Sequence, residues 1–541
     1  MEGEDAAGGP DEAARRRDEP HQRDAPREPA RPLSRRARAL LVLGACAVAL
    51  LLHAPGFRGP FISDDVLYLE HDPTLSLPLL SALGRIAFGF EYVLGNWSPV
   101  HQLFLLAEWR LFGANPLPYR VVNALLHAAV AIAVAATGRR AGLSRGAAIA
   151  AGGVFLVHPI AAEPVGWINQ SKTLLSLGFA LLSLERWLAW LRAPGGRRLV
   201  AATLAGALAV LAKPAVVALP ALLALAAWTH AERGTLRRVL VDLVPLAVVT
   251  GIAFALGLAA QSAQGGVAPW FGGGPLGTAQ ILPWLAWRYV RISFAPFDLV
   301  HGVHPAPIAG WGDERFVWPL AALAAVALLV VRACLLRRER WLFAAWFVAM
   351  LLPVLQIVPM ANLFADRYAY VALPGALWLA ADVVDRLARR RGTGAQQTLF
   401  GVVALVVVLF AGFAHGRAKK WGDPVRLYRE ATIAYPEGRT GWTGLGAELH
   451  KQGDLDGAAD SYLRSLAVAP NDAQVRHLLG RVRLRQKRLG EALHDLRESL
   501  RIAPEHHDAR WMRRTIRRLE ARGVEPVPDE PPPRAAVAPA P

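Results

Sequence analysis

Long apolar segments follow one another along most of this chain, and short arginine-rich stretches separate them. A helix needs about 20 apolar residues to cross the hydrocarbon core of a bilayer. Of the 541 residues, 54% are hydrophobic, which exceeds what a soluble fold of this length needs for its core. The chain is therefore predicted to be all-α, a polytopic membrane helical bundle.

The arginine clusters predict which ends of these helices face the cytoplasm, because Lys and Arg are enriched in cytoplasmic loops. The basic stretch "RPLSRRARAL" precedes the first apolar run and places the N-terminus in the cytoplasm. Further clusters are assigned to the same side: 138–145, 192–198, 230–238, 332–340 and 386–392.

Eleven membrane helices satisfy this arrangement and leave the C-terminus outside. The basic "GRAKK" after the last helix favours a twelve-helix count instead, so both counts stay open. Two aromatic, charge-interrupted stretches, "VHQLFLLAEWRLFG" and "ILPWLAWRYVRISFAPF", are predicted to lie in the outer interface. The eleven predicted spans are 38–54, 118–137, 147–165, 172–191, 198–212, 214–229, 237–258, 316–335, 341–360, 366–385 and 398–414.

Composition divides the chain into four regions. Residues 1–37 are rich in Pro, Arg, Asp and Glu and are predicted to be a disordered cytoplasmic N-terminus. The membrane domain covers 38–415 and includes an exterior loop at 55–117. A repeat domain covers 421–520, and the Pro-rich tail 521–541 is predicted to be disordered.

A 34-residue period marks the repeat domain. Pro436, Pro470 and Pro504 are spaced by this period, as are Gly446 and Gly480. This period is the tetratricopeptide signature, in which small residues let the two helices of each unit cross closely. The sequence predicts short helical repeats with a concave surface that suits an extended peptide.

Polar residues gather on the exterior side of the predicted topology. Two of the six lysines, Lys172 and Lys213, lie on this side, where positive charge is disfavoured. Ionisable residues at such positions are candidates for function. The candidates are Asp64 and Asp65 of "FISDDVLYL", His101, Arg120, His158, Glu163, Lys172, Lys213, Asp366, Arg367 and Tyr368.

These residue types suit the transfer of a group from a lipid phosphate. A carboxylate can take the proton of an attacking hydroxyl, and either Asp64 or Asp65 could be this base. The second carboxylate could orient the first, raise its pKa or bind a divalent cation. Ammonium and guanidinium groups, here Lys172, Lys213 and Arg367, bind phosphate. No cofactor is predicted with certainty.

The motifs "FISDDVLYLEHDPTL", "YRVVNALLH", "VHPIAAEPVGWINQSKTLLS", "LAKPAVVALP" and "ADRYAYVALPG", followed by the repeats, resemble the transmembrane and tetratricopeptide-repeat proteins. The acidic pair in the first exterior loop, after one membrane helix, also resembles the integral-membrane GT-C glycosyltransferases. The resemblance implies an O-mannosyltransferase-like enzyme that uses a polyprenyl-phosphate sugar, with Asp64 or Asp65 as base. One departure is "NQSK" after "VGWI", where relatives often have an Arg-Lys or Lys-Asp pairing.

The resulting functional hypothesis is a bacterial inner-membrane glycosyltransferase that modifies an extracytoplasmic protein or other acceptor. The donor is a polyprenyl-phosphate sugar, with mannose as one candidate for the sugar. The acceptor would bind the repeats on the same face. Membrane lipid is the other predicted partner, and no nucleic acid is predicted. Two alternatives stay open, a non-catalytic membrane-anchored repeat scaffold and a transporter of a lipid-linked glycan.

Several candidate residues also have purely structural interpretations. Asp64 and Asp65 could cap an interfacial helix through "VLYL". His158 and Glu163 each precede a proline and could satisfy freed backbone groups at a kinked helix end. His301 and His304 in "HGVHP" lack a nearby carboxylate and are a weak zinc signal.

Overall fold

The computed structural model describes residues 34–88, 97–231, 236–263, 270–360, 362–506 and 508–528. Regular secondary structure in these residues is helical, which confirms the all-α prediction. The chain divides into two compact units, 1–44 and 45–541, and the described part of the first is the start of one helix. Most of the two segments predicted to be disordered, 1–37 and 521–541, lies outside the described residues.

The α-helices are, in chain order, α1 Arg35–His53, α2 Leu79–Phe88, α3 Pro99–Phe112, α4 Pro116–Arg140, α5 Arg145–Val157, α6 Ala162–Gly166, α7 Ser171–Arg192, α8 Gly196–Ala212, α9 Leu219–His230, α10 Leu236–Ala263, α11 Pro275–Phe294, α12 Glu314–Leu336, α13 Glu339–Leu351, α14 Asp366–Arg391, α15 Thr393–Trp421, α16 Pro424–Ala434, α17 Arg439–Gln452, α18 Leu455–Val468, α19 Ala473–Arg485, α20 Leu489–Ile502 and α21 Ala509–Glu520.

Six helices in the described residues are long and apolar enough to cross a membrane, and a bent pair gives a seventh. The bent pair is α5 and the segment Pro159–Gly166, which meet at 45°. Helices α8, α9 and α13 are shorter than a typical span, and α14 begins with the charged pair Asp366 and Arg367. The chain is thus a multi-pass membrane protein by length and composition, and the count of eleven spans stays a prediction.

Residues from three of the arginine-rich segments come together at one end of the bundle. Arg140 Nε donates to Glu185 Oε1 at 2.8 Å. His230 Nε2 lies 3.3 Å from the carbonyl oxygen of Ala141. The Arg338 guanidinium lies 4.4 Å from the centroid of the Trp228 ring. The turns that were grouped by charge alone are therefore neighbours in space.

The opposite end of the bundle collects the turns that carry the candidate residues. The backbone N–H of Asn169, between α6 and α7, donates to Asp65 Oδ1 at 2.8 Å. Lys213, directly after α8, donates from Nζ to Thr173 Oγ1 at 2.9 Å. Arg367 at the start of α14 contacts Glu163 of α6. Four separate chain segments thus meet at this end.

Small residues set the helix crossings in the repeat domain, as its period predicts. A Cβ at Gly446 of α17 would lie 2.8 Å from Cδ1 of Tyr462 in α18. A Cβ at Gly480 of α19 would lie 3.0 Å from the Leu496 side chain in α20. Each helix pair therefore depends on a glycine at its closest approach.

Helix α14 also crosses α13 at a glycine, and this contact gives a test of the bundle. A Cβ at Gly375 would lie 2.5 Å from the Phe343 carbonyl oxygen and 2.7 Å from the Phe347 nitrogen. Because these are backbone atoms, Gly375→Ala must separate the helices, and overpacking of this kind costs about 1–3 kcal/mol. We expect a lower thermal unfolding midpoint for the purified protein in detergent.

Gly401→Ala is the matched control, since a Cβ at this glycine of α15 has no atom within 4 Å. Equal unfolding midpoints for the two variants would contradict the close crossing.

Candidate active site

The two adjacent aspartates face different surroundings. Asp65 is fully buried, and its two carboxylate oxygens accept the backbone N–H groups of Asn169 at 2.8 Å and Ile62 at 3.3 Å. Asp64 is half-buried, and its oxygens accept from Ser63 Oγ at 3.2 Å and from Asn169 Nδ2 at 3.3 Å. Asp65 therefore holds the loop in place, while Asp64 retains an accessible side.

Arg120 fixes the loop that carries the aspartates. Its guanidinium is fully buried, and Nε donates to the Gly166 carbonyl at 2.8 Å. The remaining nitrogens donate to the carbonyl oxygens of Phe57, Gly59 and Pro60. Arg120 was predicted to bind substrate, but backbone carbonyl oxygens accept the N–H groups of its planar guanidinium instead.

The pKa of Asp65 is raised from its ordinary value of 3.8 to about 7. Burial is the largest cause, since it disfavours the charged form. The N–H groups of Asn169 and Ile62 and the charge of Arg120 oppose the shift without cancelling it.

The three predicted phosphate-binding cations lie beside aromatic rings. Lys172 Nζ lies 5.4 Å from the centroid of the Tyr68 ring. Tyr368 is flanked by Lys213 Nζ at 5.9 Å and by the Arg367 guanidinium at 5.0 Å. Cations over aromatic faces are stabilised, but an uncharged ring does not neutralise them.

The cations differ in their carboxylate partners. Arg367 donates to Glu163 Oε1 at 2.8 Å. Among the described residues, neither lysine ammonium lies within ion-pair distance of a carboxylate, although Lys172 is buried and close enough to Asp64 to interact with it electrostatically. Burying an ammonium without a counter-ion is costly. An anion from outside the chain would supply the counter-ion that both ammonium groups lack among the described residues.

A buried ion network lies behind Arg367. Glu163 and Asp366, both predicted as substrate-binding, contact Arg417 of α15, with Asp366 Oδ2 at 2.8 Å and Glu163 Oε2 at 3.7 Å from its NH2 nitrogen. His301 Nδ1 lies 3.7 Å from Glu163 Oε1. Glu163 and Asp366 thus pair with the guanidinium groups of Arg367 and Arg417 and hold both in position.

The two predicted substrate-binding histidines have different positions. His101 packs its ring against Tyr68, with centroids 6.0 Å apart. Its pKa lies well below the usual 6.5 because of burial and of the charges of Lys172 and Lys213. His158 caps a turn by accepting the N–H of Ile160 at 3.3 Å and packs against Phe410. His101 borders the lysines, whereas His158 has the structural role proposed for a kinked helix end.

A divalent cation was considered for the acidic pair. In the described part of the chain, no group of three His, Cys, Asp or Glu side chains is arranged to hold a metal ion. Both oxygens of Asp65 are taken by backbone N–H groups. This donor set does not fit a protein-built metal centre, and no step below passes through a metal.

A sequence comparison finds the protein O-mannosyl-transferase Tmtc1 of Drosophila melanogaster, which is 30% identical over 146 residues. The predicted resemblance to this family is confirmed. The match covers 26% of this chain and 17% of the length of Tmtc1. No family model matches the chain.

Two solved structures resemble this chain. The apo oligosaccharyltransferase of Archaeoglobus fulgidus is 14% identical with a TM-score of 0.42, over 74% of this chain and 58% of that one. ArnT of Cupriavidus metallidurans, bound to undecaprenyl phosphate, is 15% identical with a TM-score of 0.38, over 90% and 79%.

Several residues of the site had no role assigned to them from the sequence. Asn169 bonds both aspartates, and its place in a polar turn beside Lys172 was the available signal. Arg417 belongs to "GRAKK", which was interpreted only as a sign of topology. Tyr68 comes shortly after the acidic pair in the sequence, and this spacing does not predict its contact with Lys172.

The raised pKa of Asp65 predicts a pH-dependent stability. Between about pH 4 and about pH 7 the folded state keeps a proton that the unfolded state has released, so this group weakens stability as the pH rises through that range. Asp65→Asn removes the effect. The unfolding midpoint of the variant relative to wild type should therefore rise between these pH values and level off above them, as measured by thermal unfolding in buffers of constant ionic strength. A constant difference would contradict the shift.

Proposed function

We propose that this protein is a glycosyltransferase that moves a sugar from a polyprenyl-phosphate donor to a hydroxyl of an extracytoplasmic acceptor. The observation that carries the proposal is the accessible Asp64 beside two lysines that have no carboxylate partner within ion-pair distance among the described residues. The family resemblance to Tmtc1 supports the same class of reaction.

The donor phosphate would bind at Lys172 and Lys213, with Arg367 as a third cation. The Glu163 contact keeps Arg367 oriented and neutralises part of its charge, so the lysines contribute most of the attraction. The site lies at the end of apolar helices, where a lipid-borne phosphate can reach it from the bilayer.

Asp64 would act as the general base. The acceptor oxygen attacks the anomeric carbon of the sugar and gives its proton to an Asp64 oxygen. The bond between that carbon and the phosphate oxygen breaks, and the lipid phosphate leaves with the electron pair. The lysines stabilise the negative charge that develops on the leaving phosphate.

Asp65 and Arg120 would act through the backbone. Asp65 ties the loop to the turn at Asn169, and Arg120 ties the same loop to Gly166. Both are positioning residues in this proposal, and they keep Asp64 within reach of the lysines.

The repeat domain would present the acceptor. Its first helix packs against the loop that carries the aspartates, since Leu427 shares a buried cluster with Ile62 and Trp167. Repeats and acidic loop thus lie at the same end of the bundle. An outward orientation of this end, in a bacterial inner membrane, completes the proposal, and mannose is one candidate sugar.

Asp64→Asn tests the base. The variant keeps the shape of the side chain but cannot accept a proton at neutral pH, so transfer should fall by about 10²–10⁴-fold. Transfer from a synthetic polyprenyl-phosphate sugar to an acceptor peptide by the purified protein in detergent is the measurement. Glu70→Gln, an exposed carboxylate in the same loop, is the control and should retain activity.

Retained transfer in Asp64→Asn would reject Asp64 as base. If the wild type transfers no sugar but binds the lipid, the transporter interpretation gains support. If it neither transfers sugar nor binds the lipid, the scaffold interpretation gains support instead.

Lys172→Met and Lys213→Met test the phosphate site. Each variant loses a charge-assisted contact with the donor, so the KM for the lipid donor should rise by about 10- to 100-fold. Lys419→Met removes an exposed lysine at the same end of the bundle and should leave KM unchanged. An equal effect of all three substitutions would indicate a general surface-charge effect rather than a phosphate site.

A further inference from the structure

Lys213, directly after α8, is held at two points by the beginning of α7. Its Nζ donates to Thr173 Oγ1 at 2.9 Å. Its backbone carbonyl oxygen accepts a hydrogen bond from Ser176 Oγ at 3.4 Å. Thr173 and Ser176 are three positions apart and therefore lie on the same face of α7. This face thus fixes both the backbone and the ammonium group of Lys213.

Gln170, immediately before α7, extends this contact. Thr173 Oγ1 donates to Gln170 Oε1 at 2.8 Å, and both side chains are buried. An ammonium group can only donate, and a hydroxyl group has a single proton to donate. The hydroxyl of Thr173 therefore accepts from Lys213 and gives its own proton to Gln170. Gln170, Thr173 and Lys213 form a hydrogen-bond network, the Lys213 network, in which each bond polarises the next.

The partners of Lys213 in this network are neutral. Thr173 and Gln170 therefore orient the ammonium group without cancelling its positive charge. The ammonium has three N–H donors, and Thr173 accepts one of them. Among the described residues no second acceptor lies within hydrogen-bond distance of Nζ, and the centroid of the Tyr368 ring is 5.9 Å away. The remaining donors are thus free for a ligand.

The turn that carries Gln170 also holds the two aspartates. Asn169, the preceding residue, donates from its backbone N–H to Asp65 and from Nδ2 to Asp64. Adjacent residues of one short turn therefore determine the position of the acidic loop and, through Gln170, the position of Lys213.

We propose that Gln170 and Thr173 are positioning residues that orient the Lys213 ammonium toward the phosphate of a lipid-linked donor. A lysine side chain that is already ordered loses less conformational entropy when the phosphate binds. This inference rests on the proposed function for the identity of the ligand, whereas the hydrogen bonds themselves do not depend on it. The turn at 168–172 then sets the base and the phosphate site relative to each other.

Thr173→Val is the first test, because valine keeps the shape of threonine and removes the hydroxyl. We expect the Kd for undecaprenyl phosphate, measured on the purified full-length protein in detergent, to rise about three- to tenfold, as for the loss of one hydrogen bond. In the transfer assay, the KM for the lipid donor should rise by the same factor and the KM for the acceptor peptide should not. A merely destabilised protein would lose active enzyme with both KM values unchanged.

Thr173→Ser and Thr137→Val are the controls. Thr173→Ser keeps the hydroxyl and should bind undecaprenyl phosphate like wild type. Thr137 is a buried threonine of α4 whose Oγ1 donates to the Leu181 carbonyl oxygen at 3.3 Å. Thr137→Val therefore removes one hydrogen bond outside the Lys213 network and should leave the Kd unchanged. A loss in either control as large as that in Thr173→Val would overturn the proposal.

Double variants test whether the effect passes through Lys213. Lys213→Met removes the ammonium group, so the addition of Thr173→Val should weaken binding no further. Gln170→Met keeps the length of the side chain and removes the acceptor oxygen. Its combination with Thr173→Val should bind no more weakly than the weaker single variant. Additive losses in either pair would contradict a network that acts through Lys213.

The same measurements separate this proposal from the proposed function. If wild type binds undecaprenyl phosphate, Thr173→Val weakens that binding and no sugar is transferred, the positioning role stands and the proposed function fails. If Lys213→Met weakens binding and Thr173→Val does not, the positioning role is overturned and the phosphate site stands.

Discussion

The arrangement of the site depends on the buried guanidinium of Arg120. A backbone loop at the end of a membrane helix has carbonyl oxygens that water would otherwise satisfy, and burying them without donors is costly. Arg120 supplies several N–H donors in one plane and bonds carbonyls of the loop and of the turn at Gly166. One side chain thus joins two segments far apart in sequence, and the aspartates follow directly after this fixed loop.

Only some of the positive side chains in the site are paired with carboxylates. On the inner side Arg367 and Arg417 are matched by Glu163 and Asp366. Lys172 and Lys213 face tyrosine rings instead of carboxylates. A site that was neutral throughout would offer little attraction to a phosphate, whereas one with all its cations unpaired would be costly to fold. The ion pairs allow Arg367 and Arg417 to be buried, and under the proposed function the two lysines leave charge for the donor phosphate.

The large features of this fold could be predicted from the sequence because they depend on local patterns. Apolar length located the helices, arginine clusters grouped the turns at one end, and the 34-residue period predicted the glycines of the repeat pairs. Two predicted spans are interrupted: the span at 147–165 breaks after Val157, before Pro159, and the span at 341–360 is α-helical only to Leu351, before Pro353.

The distinction between neighbouring residues could not be predicted. Asp64 and Asp65 are chemically identical, and Asn169, which separates their roles, lies 104 positions after Asp65. Arg120 was grouped with the substrate-binding residues because it lies on the exterior side of the predicted topology, and its carbonyl partners become neighbours only in the folded chain. The same holds for Arg417, whose carboxylates come from α6 and α14. Long-range partners decide which polar residues stay available for chemistry.

The membrane part contacts only the beginning of the repeat domain in the close approaches described here. Gly59 lies against Gly422, and Gly166 lies against Trp421 at the end of α15. Gly302, in the loop after α11, lies against Thr440 and Gly441. In a repeat array each unit packs mainly on its neighbours. Units could therefore be gained or lost at the far end without disturbing the buried contacts near the aspartates. This geometry lets array length vary during evolution while the membrane part stays the same. Under the proposed function, the range of acceptors could then change without any change in the transfer chemistry.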